Sequence, residues 1–254
     1  MAHLYLAGAD VGLHVGDSAE LVGDEARHAV TVARLAVGES IALTNGHGAM
    51  AQCVVLETSP KKVLVRVESV DHIAPLRPEV WLVQALAKGD RDERAVEACT
   101  ELGVDRIIPW QAARSISRWS GEKETKGLAR WGKIAAEASK QSLRAWVPQV
   151  APLVGLAQLC DLARTHHMML LEPNASASLA QGLKGASGPV VLVVGPEGGI
   201  APSEREALEA AGAVLGSVGP MVMRTSSAGM AGLAIANHVL GRWELVAARE
   251  NPPL

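Results

Sequence analysis

Several features that would point to a membrane, a metal or a secreted protein are missing from this 254-residue chain. No stretch of about 18 apolar residues is free of charge, so we expect no membrane span. The opening MAHLYLAGADVG lacks the basic and long apolar regions of a signal peptide. Neither C-x-x-C nor H-E-x-x-H occurs, so we expect no metal and no disulfide framework. These absences favour a cytoplasmic protein with reduced thiols.

The most informative stretch present is an apolar run followed by a glycine-rich turn. Pro189–Val194 shows no polar alternation, which is typical of a buried strand, and Gly195–Gly199 (GPEGG) follows. The turn matches neither G-x-G-x-x-G nor a P-loop. A helix is predicted from Ser203, with Glu206 at the capping-box spacing. Ligands bind at the carboxyl ends of strands in open α/β sheets, so the turn predicts a binding site. A plain strand-to-helix connection would show the same local pattern.

A second unusual loop lies at 219–229, with the sequence GPMVMRTSSAG. It places the cation of Arg224 beside three hydroxyl side chains. The helix predicted after it, at 226–240, is rich in small residues, including Gly229 and Gly232. A glycine inside a helix costs about 1 kcal/mol relative to alanine. We therefore expect a close approach of this backbone, either to another element of the protein or to a ligand.

Two patterns of predicted structure divide the chain. Residues 1–73 contain short predicted strands separated by turns, which favours a small β-barrel. After a linker with two prolines, residues 74–254 alternate strands with helices, which predicts an α/β fold with a mainly parallel sheet covered on both faces. The predicted strands include 40–44, 52–56, 62–67, 106–110, 168–171 and 214–218. The predicted helices include 92–102 and 126–143.

The charge of the chain is unevenly distributed. The formal net charge is −3, yet the segment from Arg114 to Arg144 carries eight basic and three acidic residues. A basic patch on an acidic protein is typical of a local contact with a polyanion. A solvated helix face with i,i+4 ion pairs, such as Glu122 with Lys126, explains the same charges. Both interpretations stay open at this point.

Taken together, these motifs resemble the bacterial RsmE family, the 16S rRNA (uracil-N3)-methyltransferases of the SPOUT superfamily. The strongest matches are Gly195–Gly199 and the loop Val218–Ala228. Supporting matches are Gln84–Gly89 (QALAKG) and Glu137–Arg144 (EASKQSLR). The stretch from Arg27 to Asn45-Gly46 looks like the PUA-like RNA-binding module of that family. The resemblance covers nearly the whole chain.

The resemblance implies a fold, a cofactor and partners. The second domain would be a SPOUT domain with a deep trefoil knot, an exception to the rule that chains do not thread themselves. S-adenosylmethionine would bind in the knot, 16S rRNA of the small ribosomal subunit would be the substrate, and the protein would act as a homodimer. The residues implied for cofactor binding are Leu171, Glu172, Gly195, Pro196, Glu197, Gly198, Gly199, Val218, Gly219, Met223, Arg224, Thr225, Ser227 and Ala228.

The implied chemistry assigns roles to two catalytic candidates. The sulfonium methyl is already activated, so the protein must mainly position it against the nucleophile. Uracil N3 becomes a good nucleophile when deprotonated, and Arg224 can favour that anion by placing a positive charge beside O2 or O4. Glu197 is a candidate base, with water as the alternative. The target base must be unstacked to be reached.

Phosphate contacts and base stacking are expected from other side chains. Phosphate contacts position a nucleic acid without specifying its sequence. The candidates for RNA contact are Arg27, Arg34, Lys88, Arg114, Arg118 and Arg144. Trp119 or Trp131 offers a surface for base stacking, although a place in the core is the more common one for tryptophan.

One position departs from the family pattern. The family usually shows Thr-Glu-Thr-Ala after the arginine, whereas this chain has Thr225-Ser226-Ser227-Ala228. A role of that glutamate in catalysis is therefore in doubt here. The alternatives left open are a related SPOUT enzyme with another target, such as a ribose 2′-hydroxyl, and an RNA-binding protein without catalysis.

Overall fold

The computed structural model describes residues 4–8 and 12–244, which fall into two compact units. Of the described residues, those up to Pro75 and Ser139–Val147 form the first unit, and Leu76–Ala138 and those from Pro148 to Glu244 form the second. The boundary after Pro75 lies close to the one predicted after residue 73. The return of Ser139–Val147 to the first unit was not predicted, because the sequence patterns suggested two contiguous domains.

The first unit is built on a five-stranded sheet. Its elements are β1 (Leu4–Leu6), β2 (Ser18–Val22), α1 (Gly23–Arg27), β3 (Ser40–Thr44), β4 (Ala49–Ser59) and β5 (Lys62–His72). The strands pair in the order β1-β3-β4-β5-β2. The predicted strands 52–56 and 62–67 are parts of β4 and β5, which continue beyond the predicted ends. Register shifts in the β4–β5 pair bend the ladder around a core that includes Tyr5 and Leu43.

Backbone and side-chain hydrogen bonds hold Ser139–Val147 in the first unit. The N–H of Gly48 donates to the carbonyl of Ala145 at 2.9 Å. The indole Nε1–H of Trp146 donates to the carbonyl of Ile73 at 2.7 Å. These partners are 73 residues or more apart along the chain, so no local pattern in the sequence reports them.

The second unit is built on a six-stranded parallel sheet. Its strands are β6 (Val80–Ala85), β7 (Arg106–Trp110), β8 (Gln149–Val150), β9 (His167–Leu171), β10 (Val190–Val194) and β11 (Val214–Gly216). They pair in the order β11-β9-β10-β6-β7-β8, and all five pairings are parallel. The predicted strand 106–110 is found at its predicted bounds, and the strand predicted at 214–218 ends earlier, at Gly216.

Helices cover both faces of this sheet, as the sequence predicted. They are α2 (Arg91–Glu101), α3 (Glu122–Gln141), α4 (Leu156–Ala163), α5 (Leu179–Gly182), α6 (Pro202–Ala210) and α7 (Thr225–Val239). Side chains of β6 alternate between two apolar cores. Val80 and Leu82 pack with residues of α2, α3, α5 and α7, whereas Trp81 and Val83 pack with residues of α4 and α6. The strand is apolar on both faces for this reason.

The start of α6 corrects one prediction. The sequence suggested a capping box formed by Ser203 and Glu206, but the helix begins at Pro202. Proline suits the first helical position because its missing N–H would have no partner there. Glu204 reaches back instead, and its Oε2 accepts from the N–H of Ala201 at 3.2 Å. The capping carboxylate is therefore Glu204, two residues before the predicted one.

The glycines of α7 provide room for packing within the protein. A methyl group at Gly229 would lie 3.1 Å from Cδ1 of Leu82, and one at Gly232 would lie 2.8 Å from Cδ1 of Leu171. Both neighbours belong to the apolar core on this face of the sheet. Of the two expectations for these glycines, close approach to another element is confirmed.

The two tryptophans near the basic segment pack against each other. Trp131, in α3, is 1% exposed and belongs to the core. The ring of Trp119 meets it edge-on, with the centroids 5.2 Å apart. The core interpretation is thus confirmed for Trp131. Trp119 covers that core from outside and lies directly over Gly127 of the same helix.

Two glycines of α3 give a matched test of this packing. A methyl group at Gly127 would lie 2.5 Å from Cε2 of Trp119, whereas one at Gly132 would meet no atom within 4 Å. Gly132→Ala should raise the free energy of unfolding by about 0.5–1 kcal/mol through helix propensity. Gly127→Ala should lower it by about 1–2 kcal/mol, because overpacking outweighs that gain. Chemical denaturation measures both, and equal effects of the two substitutions would contradict the Trp119 contact.

Candidate functional site

A cavity of about 420 Å³ opens at the carboxyl ends of β9 and β10 in the second unit. Its wall comes from the end of β9, the glycine-rich turn after β10 and the loop between β11 and α7, with one residue from α2. This is the edge at which open α/β sheets bind ligands. The volume lies in the range of about 300–1,000 Å³ found for small-molecule sites.

Most residues predicted to bind a cofactor lie on this wall. They are Leu171, Glu172, Gly195, Pro196, Glu197, Gly199, Val218, Gly219, Met223, Arg224, Thr225 and Ala228. Gly198 and Ser227 are not among the lining residues. Gly198 instead contacts Arg114 behind the turn. The structure thus brings the two unusual loops of the sequence together around one cavity.

The cavity also has lining residues that were not among the predicted cofactor contacts. They are Arg91, Pro173, Val194, Ile200, Met221 and Val222. Arg91 is 106 positions before its ion-pair partner Glu197, so no spacing rule points to it. Met221 and Val222 carried a usable signal, since two large apolar residues are unusual in a polar loop. They are 73% and 82% exposed.

The glycine-rich turn has a defined geometry. The N–H of Gly199 donates to the carbonyl of Pro196 at 2.8 Å and closes the turn. Gly199 has φ +72°, a conformation that disfavours side chains. A methyl group at Gly195 would lie 2.8 Å from Cγ1 of Ile200. Both positions therefore require glycine if the turn is to keep its shape.

Glu197 is held in place as a hydrogen-bond acceptor. Its Oε1 accepts from the N–H of Lys88 at 3.0 Å and from Nη1 of Arg91 at 2.7 Å. Desolvation raises the pKa of this carboxyl, but the hydrogen bonds from its own N–H, from Lys88 and from Arg91 outweigh it, so the pKa is lowered overall. A carboxylate with a lowered pKa is a weaker base. This geometry favours a role for Glu197 in holding the turn.

The loop after β7 is tied to the same turn. Arg114 donates from Nη1 to the carbonyl of Gly198 at 2.9 Å, and Glu204 accepts from the N–H of Ala113 at 2.7 Å. Arg118 donates to the carbonyl of Ala113 at 3.1 Å. Arg114 and Arg118, both predicted to contact RNA, therefore lie in the second unit, and Arg114 is bonded to the glycine-rich turn. That they contact RNA stays a prediction.

Arg224 and Thr225 lie where the second loop meets α7. Thr225 is the first residue of the helix, and its Oγ1 donates to the carbonyl of Gly195 at 2.9 Å. This bond joins the two loops that form the cavity. The exposed guanidinium of Arg224 lines the cavity and has no acidic partner in the described part of the chain. Its charge is therefore available to a ligand.

Of the other residues predicted to contact RNA, Lys88 lies in the second unit, and Arg27, Arg34 and Arg144 lie in the first. Arg27 is exposed and pairs with Asp24 at 3.1 Å. Arg34 is exposed at φ +55°, which is uncommon for a residue other than glycine. Arg144 belongs to the Ser139–Val147 segment. These roles stay predictions.

The basic segment itself is partly neutralised. Lys126 pairs with Glu122 at 2.8 Å, one helical turn away, as the helix-face interpretation predicted. Arg130 makes a two-pronged pair with Glu93, at 2.6 Å from Nε to Oε1 and 2.7 Å from Nη2 to Oε2. The charges that remain for a polyanion are therefore fewer than the sequence count suggested.

Two searches of the described residues bear on the predicted absences. No helix between residues 12 and 244 combines the length and the hydropathy that crossing a membrane requires. No group of three or more histidine, cysteine, aspartate or glutamate side chains is placed to hold a metal ion within the described ranges.

Comparison with known proteins decides the family. An RNA methyltransferase domain matches residues 74–237, and an RNA methyltransferase PUA domain matches residues 21–68. A ribosomal RNA small subunit methyltransferase E from Mycobacterium bovis is 38% identical over 238 residues, covering 92% of this chain and 91% of the relative. The chain belongs to the ribosomal RNA small subunit methyltransferase E family. The predicted family resemblance and fold class are confirmed, while the trefoil knot itself stays a prediction.

Other known methyltransferases are similar to this chain. The ribosomal RNA small subunit methyltransferase E from Bacillus subtilis is 32% identical over 86% of this chain and 89% of its own length. The crystal structure of the Neisseria gonorrhoeae protein of that name, bound to S-adenosyl methionine, superposes with a TM-score of 0.84 at 27% identity, covering 94% and 98% of the two chains. A Legionella pneumophila methyltransferase in complex with the same cofactor gives 0.85 at 26% identity, with the same coverage.

Glu172, on the wall of the cavity, should make the stability of the fold depend on pH. Burial raises the pKa of Glu172, Arg205 opposes that shift and Glu209 adds to it. A raised pKa in the folded state means that ionised Glu172 destabilises the fold above its folded pKa. Glu172→Gln should therefore stabilise the protein at pH 7. The gain should disappear as the pH falls below the ordinary glutamate value of about 4.3, where wild type is also uncharged.

Thermal unfolding from pH 3 to pH 8 measures this effect. Glu206→Gln serves as the control, because Glu206 is exposed on the same helix as Arg205 and Glu209. A stabilisation by Glu172→Gln that persists unchanged at pH 3 would contradict the desolvation of Glu172.

Proposed function

We propose that this protein transfers a methyl group from S-adenosylmethionine to N3 of a uridine in 16S rRNA of the small ribosomal subunit, in the cytoplasm. Membership of the methyltransferase E family supports ribosomal RNA as the substrate. The cofactor bound by the relatives from Neisseria gonorrhoeae and Legionella pneumophila supports S-adenosylmethionine. The position of Arg224 on the cavity wall, without an acidic partner in the described chain, is the observation that carries the choice of N3.

The residues of the cavity fit this cofactor. Apolar side chains such as Leu171, Val194 and Ile200 offer a surface for an adenine ring. The glycine-rich turn leaves backbone groups accessible, because a methyl at Gly195 would already crowd Ile200. The absence of a P-loop agrees with a ligand that has no phosphate. When bound, S-adenosylmethionine supplies a methyl group already activated by its sulfonium centre.

Arg224 would provide the main electrostatic contribution. The imide N–H of uracil must be lost before N3 can attack, and the resulting negative charge spreads onto O2 and O4. A fixed guanidinium beside either oxygen stabilises that anion and the transition state that follows. Arginine is suited to this role because it stays protonated at every relevant pH. Glu197 would hold the turn, and solvent water would take the proton.

The decisive substitution is Arg224→Ala. We expect turnover to fall by at least about 10²-fold, in the range seen when a preorganised electrostatic group is removed. Affinity for RNA should stay within about twofold, because Arg224 faces the base and the phosphate contacts made by other basic side chains remain. Methyl transfer from labelled cofactor to small subunits that lack the modification measures turnover. Arg164→Ala is the matched control, because Arg164 is exposed at the end of α4 and pairs only locally with Asp161.

Mass spectrometry of the product nucleoside identifies the methylated atom. Transfer to uridine N3 is the expected result. A methyl on a ribose hydroxyl would favour the related enzyme with another target. An RNA-binding protein without catalysis is the second alternative, and replacement of the family glutamate by Ser226 is the observation behind it. Calorimetry showing that folded wild type does not bind S-adenosylmethionine would favour this alternative.

We also propose that the protein acts as a homodimer, as the family resemblance implies. The support in this chain is the exposed apolar pair Met221 and Val222 on the cavity wall, since adjacent exposed apolar residues mark contact surfaces. Met221→Ser together with Val222→Ser should shift sedimentation from dimer to monomer at micromolar concentration. Wild type that sediments as a monomer at that concentration would contradict the proposal.

A further inference from the structure

Gln84 is an amide side chain on an otherwise apolar strand. All six residues of β6 are buried, and Gln84 has no exposed surface. It pairs in register with Val194, the last residue of β10, directly before the glycine-rich turn. Burying an amide among apolar side chains is unfavourable unless the amide is hydrogen-bonded. Its partners therefore show what this polar group does here.

Both hydrogens of the amide group are used. Nε2 donates to the carbonyl of Ala85 at 3.1 Å and to Oγ1 of Thr225 at 2.9 Å. The carbonyl of Ala85 can only accept, so the nitrogen of the amide, and not its oxygen, must face it. The hydroxyl of Thr225 thus accepts from Gln84 and donates its own proton to the carbonyl of Gly195. Gln84 therefore begins a chain of two hydrogen bonds, from its amide to Thr225 and from Thr225 to the carbonyl of Gly195 in the glycine-rich turn. We call this chain the relay.

The oxygen of the same amide is left without a partner. Oε1 of Gln84 is buried and accepts no hydrogen bond from the described residues. An unpaired buried acceptor destabilises a fold, and an apolar residue of similar shape would remove that cost. Native proteins keep few such groups, so each calls for an explanation. Stability alone does not explain the glutamine at this position.

The relay reaches both loops of the cavity from behind. Gln84 is not among the lining residues, whereas Thr225 and Gly195 are. Thr225 directly follows Arg224 in the chain, and Gly195 begins the turn that contains Glu197. We propose that Gln84 is a positioning residue, which sets the two loops through Thr225 so that the cofactor site and Arg224 keep their mutual geometry. This inference rests on the proposed function.

Gln84→Leu separates positioning from a purely structural role. Leucine keeps a similar volume and removes both the donor and the unpaired acceptor. We expect an unfolding midpoint equal to or above that of wild type, together with at least tenfold weaker binding of S-adenosylmethionine and a lower kcat. A structural role would predict the opposite, a lower midpoint with unchanged affinity. A stable Gln84→Leu protein with wild-type affinity and kcat would overturn the proposal.

Asn237 provides a matched control on α7. It is also a buried amide whose oxygen Oδ1 has no partner in the described chain, and its Nδ2 donates to the carbonyl of Leu102 at 2.8 Å. It does not line the cavity. Asn237→Leu should leave the affinity for S-adenosylmethionine unchanged, whatever it does to the unfolding midpoint. A loss of affinity equal to that of Gln84→Leu would show a general effect of buried amides and overturn the proposal.

A double-mutant cycle tests the relay from its other end. Thr225→Val removes the hydroxyl, whereas Thr225→Ser keeps it and should bind the cofactor like wild type. The combination of Gln84→Leu with Thr225→Val should bind no more weakly than the worse single variant, because both break one relay. Fully additive losses would contradict the relay. If the Gln84→Leu protein does not fold, a Thr225→Val protein that binds S-adenosylmethionine as tightly as wild type would still overturn the proposal.

Binding to wild type is measured first, by calorimetry with S-adenosylmethionine. Failure of wild type to bind would remove the proposed function and the inference that rests on it. Binding to wild type with equal binding to Gln84→Leu and Thr225→Val would remove only the relay. The two failures are therefore distinguishable.

Discussion

The candidate site depends on one hydrogen bond, from the hydroxyl of Thr225 to the carbonyl of Gly195. These residues are 30 positions apart: Gly195 begins the glycine-rich turn, and Thr225 is the first residue of α7, directly after the second cavity loop. The bond links the turn after β10 directly to the loop before α7. With it, the carboxyl end of β10 and the start of α7 form one unit. Arg224 gains its place on the wall from this arrangement.

A fully buried parallel sheet makes such a bond effective. Each face of the central strands contacts an apolar core, so β6 and β10 have little freedom to shift. Loops on a rigid sheet are positioned more accurately than loops on a mobile one. Tethers from Arg91 to Glu197 and from Arg114 to Gly198 add lateral support to the turn. The glycine-rich turn is thus held by Arg91 and Thr225, which line the cavity, and by Arg114, which does not.

Local patterns in the sequence were sufficient to predict most of the strands and helices of the second unit. The apolar strand before Gly195 and the small-residue helix α7 were predicted because their periodicity and composition are local properties. Both cavity loops were found through unusual composition, glycine in one and a cation among hydroxyls in the other. Glu206 was a wrong choice as the cap, because spacing alone does not show where Pro202 starts the helix.

Contacts between distant parts of the chain could not be predicted from local patterns in the sequence. The ion pair of Arg91 with Glu197 and the return of Ser139–Val147 to the first unit join residues that are 70 or more positions apart. The family resemblance supplied the cofactor and the target, which periodicity does not specify. The relay from Gln84 could not be predicted from the sequence, because the burial of its amide and its contact with Thr225, 141 positions away, are visible only in the folded structure.

A crystal structure with S-adenosylmethionine and a short uridine-containing RNA tests the central claim most directly. The account predicts the cofactor in the cavity after β10, its methyl carbon about 3–3.5 Å from N3 of an unstacked uracil. It also predicts the guanidinium of Arg224 in contact with O2 or O4 of that base. A uracil whose N3 points away from the methyl group, or an Arg224 bound only to phosphate, would contradict it.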